Sequence, residues 1–157
     1  DEIKKFKTLM LQDHNLEAVF SLPNEVFYPG ASVCACCMIF NLGVRHESAP
    51  IKETFFGYFK DDGFYKKKNL GRIERTNCGV GVWKNIEEEW LRLFFNRESK
   101  PGYSIVKQVH ADDEWLAEAY METDYSTLDF EDFEKVVRSY LAFLVDNGMI
   151  KNDDSNK

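Results

Sequence analysis

The rhythm of the apolar residues changes along this chain, and that change restricts the fold more than any other feature. Ile3, Phe6, Leu9 and Met10 recur at helical spacing, with lysines opposite. The next apolar runs are short: "LEAVFSL" at 16–22, "SVCACCMIFNL" at 32–42 and "TFFGYF" at 54–59. Each has strand length and is bounded by turn-forming residues. Helical spacing then returns in Ile86, Trp90, Leu93 and Phe94, and again in Phe133, Val136, Val137, Tyr140, Leu141 and Leu144. A β-rich first half followed by a helical second half is a mixed α/β chain.

Local signals refine the pattern. Asn15 is placed to end the first helix in a left-handed conformation, and Asp1 to cap its start. Pro23-Asn24 stops the first strand, and Gly43 ends the second. Asp62-Gly63 is a hairpin signal between two aromatic-rich segments, while 69–82 has scattered glycines and reads as loop. Asn85 with Glu88 has capping-box spacing. "SIVKQV" reads as a short strand and "ADDEWLAEAYMET" as a helix with Asp112 and Asp113 in its first turn. The longest helix begins at Asp129, buries the stripe from Phe133 to Leu144 and ends at Gly148. Three regions follow: 1–83 with the sheet and hairpin, 84–150 as a helical extension, and 151–157 as a disordered polar tail.

Thirteen phenylalanines and a hydrophobic share of 44% in 157 residues supply a real core and exclude disorder over most of the length. The net charge of −7 makes a poor stand-alone nucleic-acid binder, since phosphate affinity comes largely from Lys and Arg. No apolar run approaches the roughly 20 residues of a membrane span, no signal peptide is apparent, and the uneven cysteine spacing is not that of a secreted disulfide framework. These features point to the cytoplasm. The sequence opens inside a helix without Met, as a piece of a longer chain would.

Few residues carry chemistry by pattern alone. Cys34 and Cys36 fall on one face of a strand and Cys37 on the other, whereas zinc ligands are usually paired across a turn. Core packing as small hydrophobes is therefore preferred for them over a metal or redox role; Cys78 and His46 could complete a site, but nothing in the spacing asks for it. His14, His46 and His110 each stand alone, and "CGVGVW" has a Gly-x-Gly without the rest of a nucleotide fingerprint. The stretch from Asp112 to Glu134 contains no Lys or Arg and reads as solvated helix faces ahead of a cation or basic-partner site. Lys66, Lys67, Lys68 and Arg72, with Arg75 beyond them, form the one basic concentration; DNA-backbone contact and a solvated loop are equal readings of it.

"LPNEVFYPGASVCACCMIFNLG" (22–43) carries more information. It resembles the segment after the catalytic motif in adenine-specific DNA methyltransferases, particularly modification subunits of type I restriction-modification systems. The matching features are Leu22-Pro23-Asn24, Phe27, Pro29-Gly30 and the strand running to Gly43. "TFFGYFKDDGFYKKKNLGR" and "DEWLAEAYMETDYS" also look like the C-terminal extension of a subgroup, so the resemblance spans about residues 5 to 145. It implies the terminal helix and antiparallel strand pair of a Rossmann-like methyltransferase sheet, followed by a mainly helical extension. It implies that Phe27 packs against a flipped-out target adenine, with core packing under the loop as the alternative. The family's glycine-rich S-adenosylmethionine loop and its Asn-Pro-Pro-Tyr/Phe motif are absent from this sequence. The chain alone is thus expected to bind no cofactor and methylate nothing, while the parent protein uses S-adenosylmethionine and works with DNA and a specificity subunit. A non-enzymatic docking module for that specificity subunit is the alternative function. An unpaired strand edge is expected to promote a homodimer.

Overall fold

A computed structural model describes residues 2–31, 33–121 and 129–149. The fold is mixed α/β. Helix α1 (Glu2–Asp13) leads directly into β1 (His14–Ser21), followed by β2 (Cys36–Leu42) and β3 (Glu53–Tyr58). Two small ribbons come next, β4 (Phe64–Lys67) with β5 (Gly71–Glu74), and β6 (Thr76–Asn77) with β7 (Val80–Gly81). Helix α2 (Trp83–Phe95), β8 (Ser104–Gln108) and α3 (Phe130–Asp146) complete the elements. The main sheet has the order β2-β1-β3-β8. β1 and β3 are parallel, and the outer strands run antiparallel to their neighbours. β1 and β2 pair antiparallel, the arrangement the resemblance implies for the two strands after the first helix.

Both faces of β1 and β3 are buried, which is why their sequences read as continuous apolar runs. Phe56 enters one cluster with Leu16, Val19, Val109, Trp115 and Ala117, while its neighbour Phe55 enters the other with Ala18, Phe59 and Leu93. Leu16 and Val19 share a face although three residues apart, because the register shifts between Leu16 and Ala18. The second cluster is largely aromatic. The Phe59 ring stacks on Trp90 at 4.5 Å and on Phe20 at 5.3 Å. Gly57 lies under these rings: a Cβ there would come within 2.8 Å of Phe20 and 2.9 Å of Phe59.

Several local expectations are overturned, each by a non-local interaction. Asn15 does not terminate a helix; it is a buried β1 residue opposite Asn41. β3 does not pair across Asp62-Gly63 with the next strand, because both its edges are taken by β1 and β8. The hairpin forms one segment later, between β4 and β5, and the stretch read as loop supplies β5, β6 and β7. Asn85 does not cap α2, which begins at Trp83. The Glu74 carboxylate, reaching from β5, accepts the Trp83 N–H at 2.8 Å. Segment 111–121 is a series of turns with one 3-10 turn at Ala117–Ala119. Trp115 and Ala117 are both buried in one cluster at i, i+2 spacing, which a helix does not permit. At the other end of the chain, Asp129 and Asp132 form the capping box of α3.

The cysteines are the largest correction. All four are exposed, and β2 is exposed or half-buried along its length. The cysteines there are not core residues: β2 is an edge strand, and it is Ile39 and Phe40 that pack against the two clusters.

The chain forms two units, Asp1–Thr123 and Asp124–Lys157. β8 and α2, assigned from sequence to the helical extension, belong to the first. β8 pairs with β3 from Glu53–Gln108 to Gly57–Ser104, and Leu93 of α2 is fully buried. In the second unit α3 is the one described element, and it buries none of the stripe from Phe133 to Leu144. The cap expected at Asp1 and the tail at 151–157 lie outside the described residues, as does part of the acidic stretch.

Candidate functional site

Ser21 and Tyr58 are opposite one another, so the carboxyl ends of the two parallel strands lie side by side. In open α/β sheets that end is where ligands bind, because the loops leaving parallel strands diverge there. The chain leaving β1 makes tight turns from Asn24 to Gly30. Val26 N–H donates to Pro23, Tyr28 N–H to Glu25 and Ala31 N–H to Phe27. Gly30 suits the turn, since a Cβ would approach the Phe27 carbonyl at 3.3 Å. Phe27 belongs to neither core cluster and is 53% exposed.

The chain leaving β3 turns on two aspartates. Asp61 accepts Gly63 N–H at 3.0 Å and Asp62 accepts Phe64 N–H at 3.1 Å. Gly63 is in the left-handed region at φ 77°, and a Cβ would clash with Val82 at 2.6 Å. Each aspartate also takes an arginine. Arg75 pairs with Asp61 and, with the Gly63 N–H, holds that carboxyl below its ordinary pKa. Arg72 Nη2 donates to Asp62 Oδ1 at 2.7 Å and Oδ2 at 2.6 Å, with the guanidinium over the Phe64 ring. The side chains of this pair are only 16% and 9% exposed, so the charges are largely desolvated and neither is free to leave the other cheaply.

Between the two loops is a recess of about 330 Å3 bounded by Pro23, Asn24, Glu25, Lys60, Asp62 and Arg72. Lys60 is held by Glu118 at 2.9 Å, and Glu118 also accepts the hydroxyl proton of buried Ser21. Burial works to raise the Glu118 pKa, but the Ser21 hydroxyl and the Lys60 ammonium outweigh it and leave the carboxyl below its ordinary value. The network is electrically balanced, with one acid for each base.

Of the residues singled out by sequence, the structure gathers Phe27, Lys66 and Arg72 around this end of the sheet. Arg72 is packed inside the network. Lys66 bonds Glu25 in the Phe27 loop at 3.1 Å. Lys67 and Lys68 stand exposed toward the tip of the β4–β5 hairpin. Glu25 and Lys60 had no signature, Asp62 read only as a turn residue and Glu118 only as part of a solvated acidic face, because Glu118 meets Ser21 and Lys60 only through sheet topology.

A larger cavity of about 830 Å3 opens at the opposite end of the sheet and brings together His46 and His110 with Gln12, Asp13, Arg45 and Gln108. His46 is buried, with Nδ1 2.7 Å from Asn15 Oδ1. Burial and the nearby His110 lower its pKa. Among the described residues, neither histidine ring is hydrogen-bonded to a Ser, Thr or Cys side chain. Among the described residues no three His, Cys, Asp or Glu side chains are grouped to hold a metal ion, and no helix is long and apolar enough to cross a membrane.

No protein-family model and no curated protein matches the chain. Among solved structures, a modification subunit of a putative type I restriction enzyme from Vibrio vulnificus YJ016 is similar at 16% identity and a TM-score of 0.39. The similarity covers 71% of this chain and 23% of that one, so the chain corresponds to less than a quarter of that subunit's length.

Proposed function

We propose that this chain forms one wall of the target-base pocket of an adenine-specific DNA methyltransferase, in the manner of a type I modification subunit. The observation that carries this reading is Phe27: a large aromatic side chain, half exposed, on a tightly turned loop at the carboxyl end of parallel strands. An adenine extruded from a duplex loses its stacking partners, and an exposed aromatic face returns part of that energy, about 1–3 kcal/mol. The methyl donor, S-adenosylmethionine, and the polar residues that hold the adenine amine belong in this reading to sequence outside the chain. The chain by itself then binds no S-adenosylmethionine and transfers no methyl group. In the whole protein, working in the cytoplasm with DNA and a specificity subunit, Lys67 and Lys68 are the cations left exposed for the DNA backbone.

Methyl transfer from labelled S-adenosylmethionine to DNA, measured with the complete methyltransferase containing this chain, tests the proposal. Phe27→Ala lowers the rate about 5- to 150-fold, the kinetic equivalent of the lost stacking, and Phe27→Trp retains most of it. An unchanged rate for Phe27→Ala would overturn it.

A further inference from the structure

Lys66 stands in the basic run, where its charge alone would assign it to DNA. Its surroundings assign it elsewhere. Lys66 Nζ is 3.1 Å from Glu25 Oε1 and 4.6 Å from the centre of the Tyr28 ring. These two residues bracket Phe27 in sequence, and both lie about forty positions from Lys66. One ammonium group therefore grips the aromatic loop on both sides of its exposed ring, by an ion pair and by a cation–π interaction. The grip starts from a firm base. Lys66 is in β4, opposite Arg72 of β5. Arg72 is locked to Asp62 in the turn that follows β3. The internal bonds of the loop, from Val26, Tyr28 and Ala31, fix its shape but do not fix its direction relative to the sheet. Among the described residues, the hydrogen bonds, ion pairs and ring contacts that cross from loop to hairpin are those made by Lys66.

We infer that Lys66 is a positioning residue: the β4–β5 hairpin uses it to clamp the 23–31 loop and thereby set the direction of Phe27. The importance of that direction rests on the proposed base-stacking role, but the clamp itself does not, and the two are separable by experiment.

Hydrogen exchange of the amides of Val26, Tyr28 and Ala31 in this chain reads the clamp directly. Lys66→Met keeps the aliphatic stem and removes the charge; it speeds exchange at these amides about 3- to 30-fold, with β1 and β3 unchanged. Lys66→Arg restores protection, since it keeps a cation over Tyr28 and beside Glu25. Glu25→Gln gives an intermediate rate because the cation–π interaction survives. Wild-type exchange in Lys66→Met would overturn the inference, and so would equal acceleration in the loop and the sheet, which marks general destabilisation. A loosened loop in Lys66→Met together with normal methyl transfer by Phe27→Ala leaves the clamp standing and removes the base-stacking role.

Discussion

Whether a side chain's charge is available depends on what the fold places beside it. Arg72 and Lys66 belong to one basic run, yet Arg72 is neutralised in a desolvated pair and Lys66 is tied to a neighbouring loop. His46 shows the same principle for a neutral group. Its lowered pKa means that the unfolded chain takes up the proton first as the pH falls below the ordinary histidine value of about 6.5. The stability held by neutral, buried His46 is present above that pH and is lost as the pH drops toward its folded pKa. Urea unfolding from pH 7.5 to 5.5 is expected to show a decline that His46→Gln makes shallower, by at most about 1.4 kcal/mol per pH unit. Identical slopes for the two proteins would exclude His46 as the source. The lone histidines were visible in the sequence, but their convergence on one cavity was not, because 64 positions separate His46 from His110.

Elements that carry their own start signal were legible. α3 is capped by Asp129 through the reciprocal Asp129–Asp132 capping box, a local arrangement that needs no other part of the chain. α2 shows the limit of that logic. Asn85 and Glu88 have capping-box spacing, but the helix starts earlier because Glu74 supplies the acceptor from another element. Gly81 is part of this arrangement, since a Cβ there would collide with the Glu74 carboxylate. Glu74→Ala is expected to cost about 1 kcal/mol in urea unfolding at unchanged slope, the usual value of a cap, and Asn85→Ala less than half as much. A larger cost for Asn85→Ala would return the cap to the helix's own sequence. Segment 111–121 departs from a helix for a related reason: its acidic first turn favours one, but burying Trp115 together with Ala117 stabilises a non-helical path.

For the whole molecule, sheet order decides what is exposed. β1 and β3 are central and buried on both faces, whereas β2, equally apolar in sequence, is an edge with exposed cysteines. Native thiol labelling is expected to modify Cys34, Cys36, Cys37 and Cys78 at rates within about ten-fold of those in urea. Strong protection of all four would contradict this arrangement. Protection of Cys36 and Cys37 but not Cys78 at high protein concentration would show a second chain pairing along β2, and sedimentation would report it as a dimer. The sequence by itself determined the α/β class, the positions of α1, β1, β3, β8 and α3, and the aromatic on the loop after Pro23, because periodicity, caps and turn residues act over a few positions. Only the tertiary structure decided which apolar run became the edge, which acid capped α2, and which cations stayed free. Each depends on a partner brought close by strand pairing, and no spacing along the chain encodes that partner.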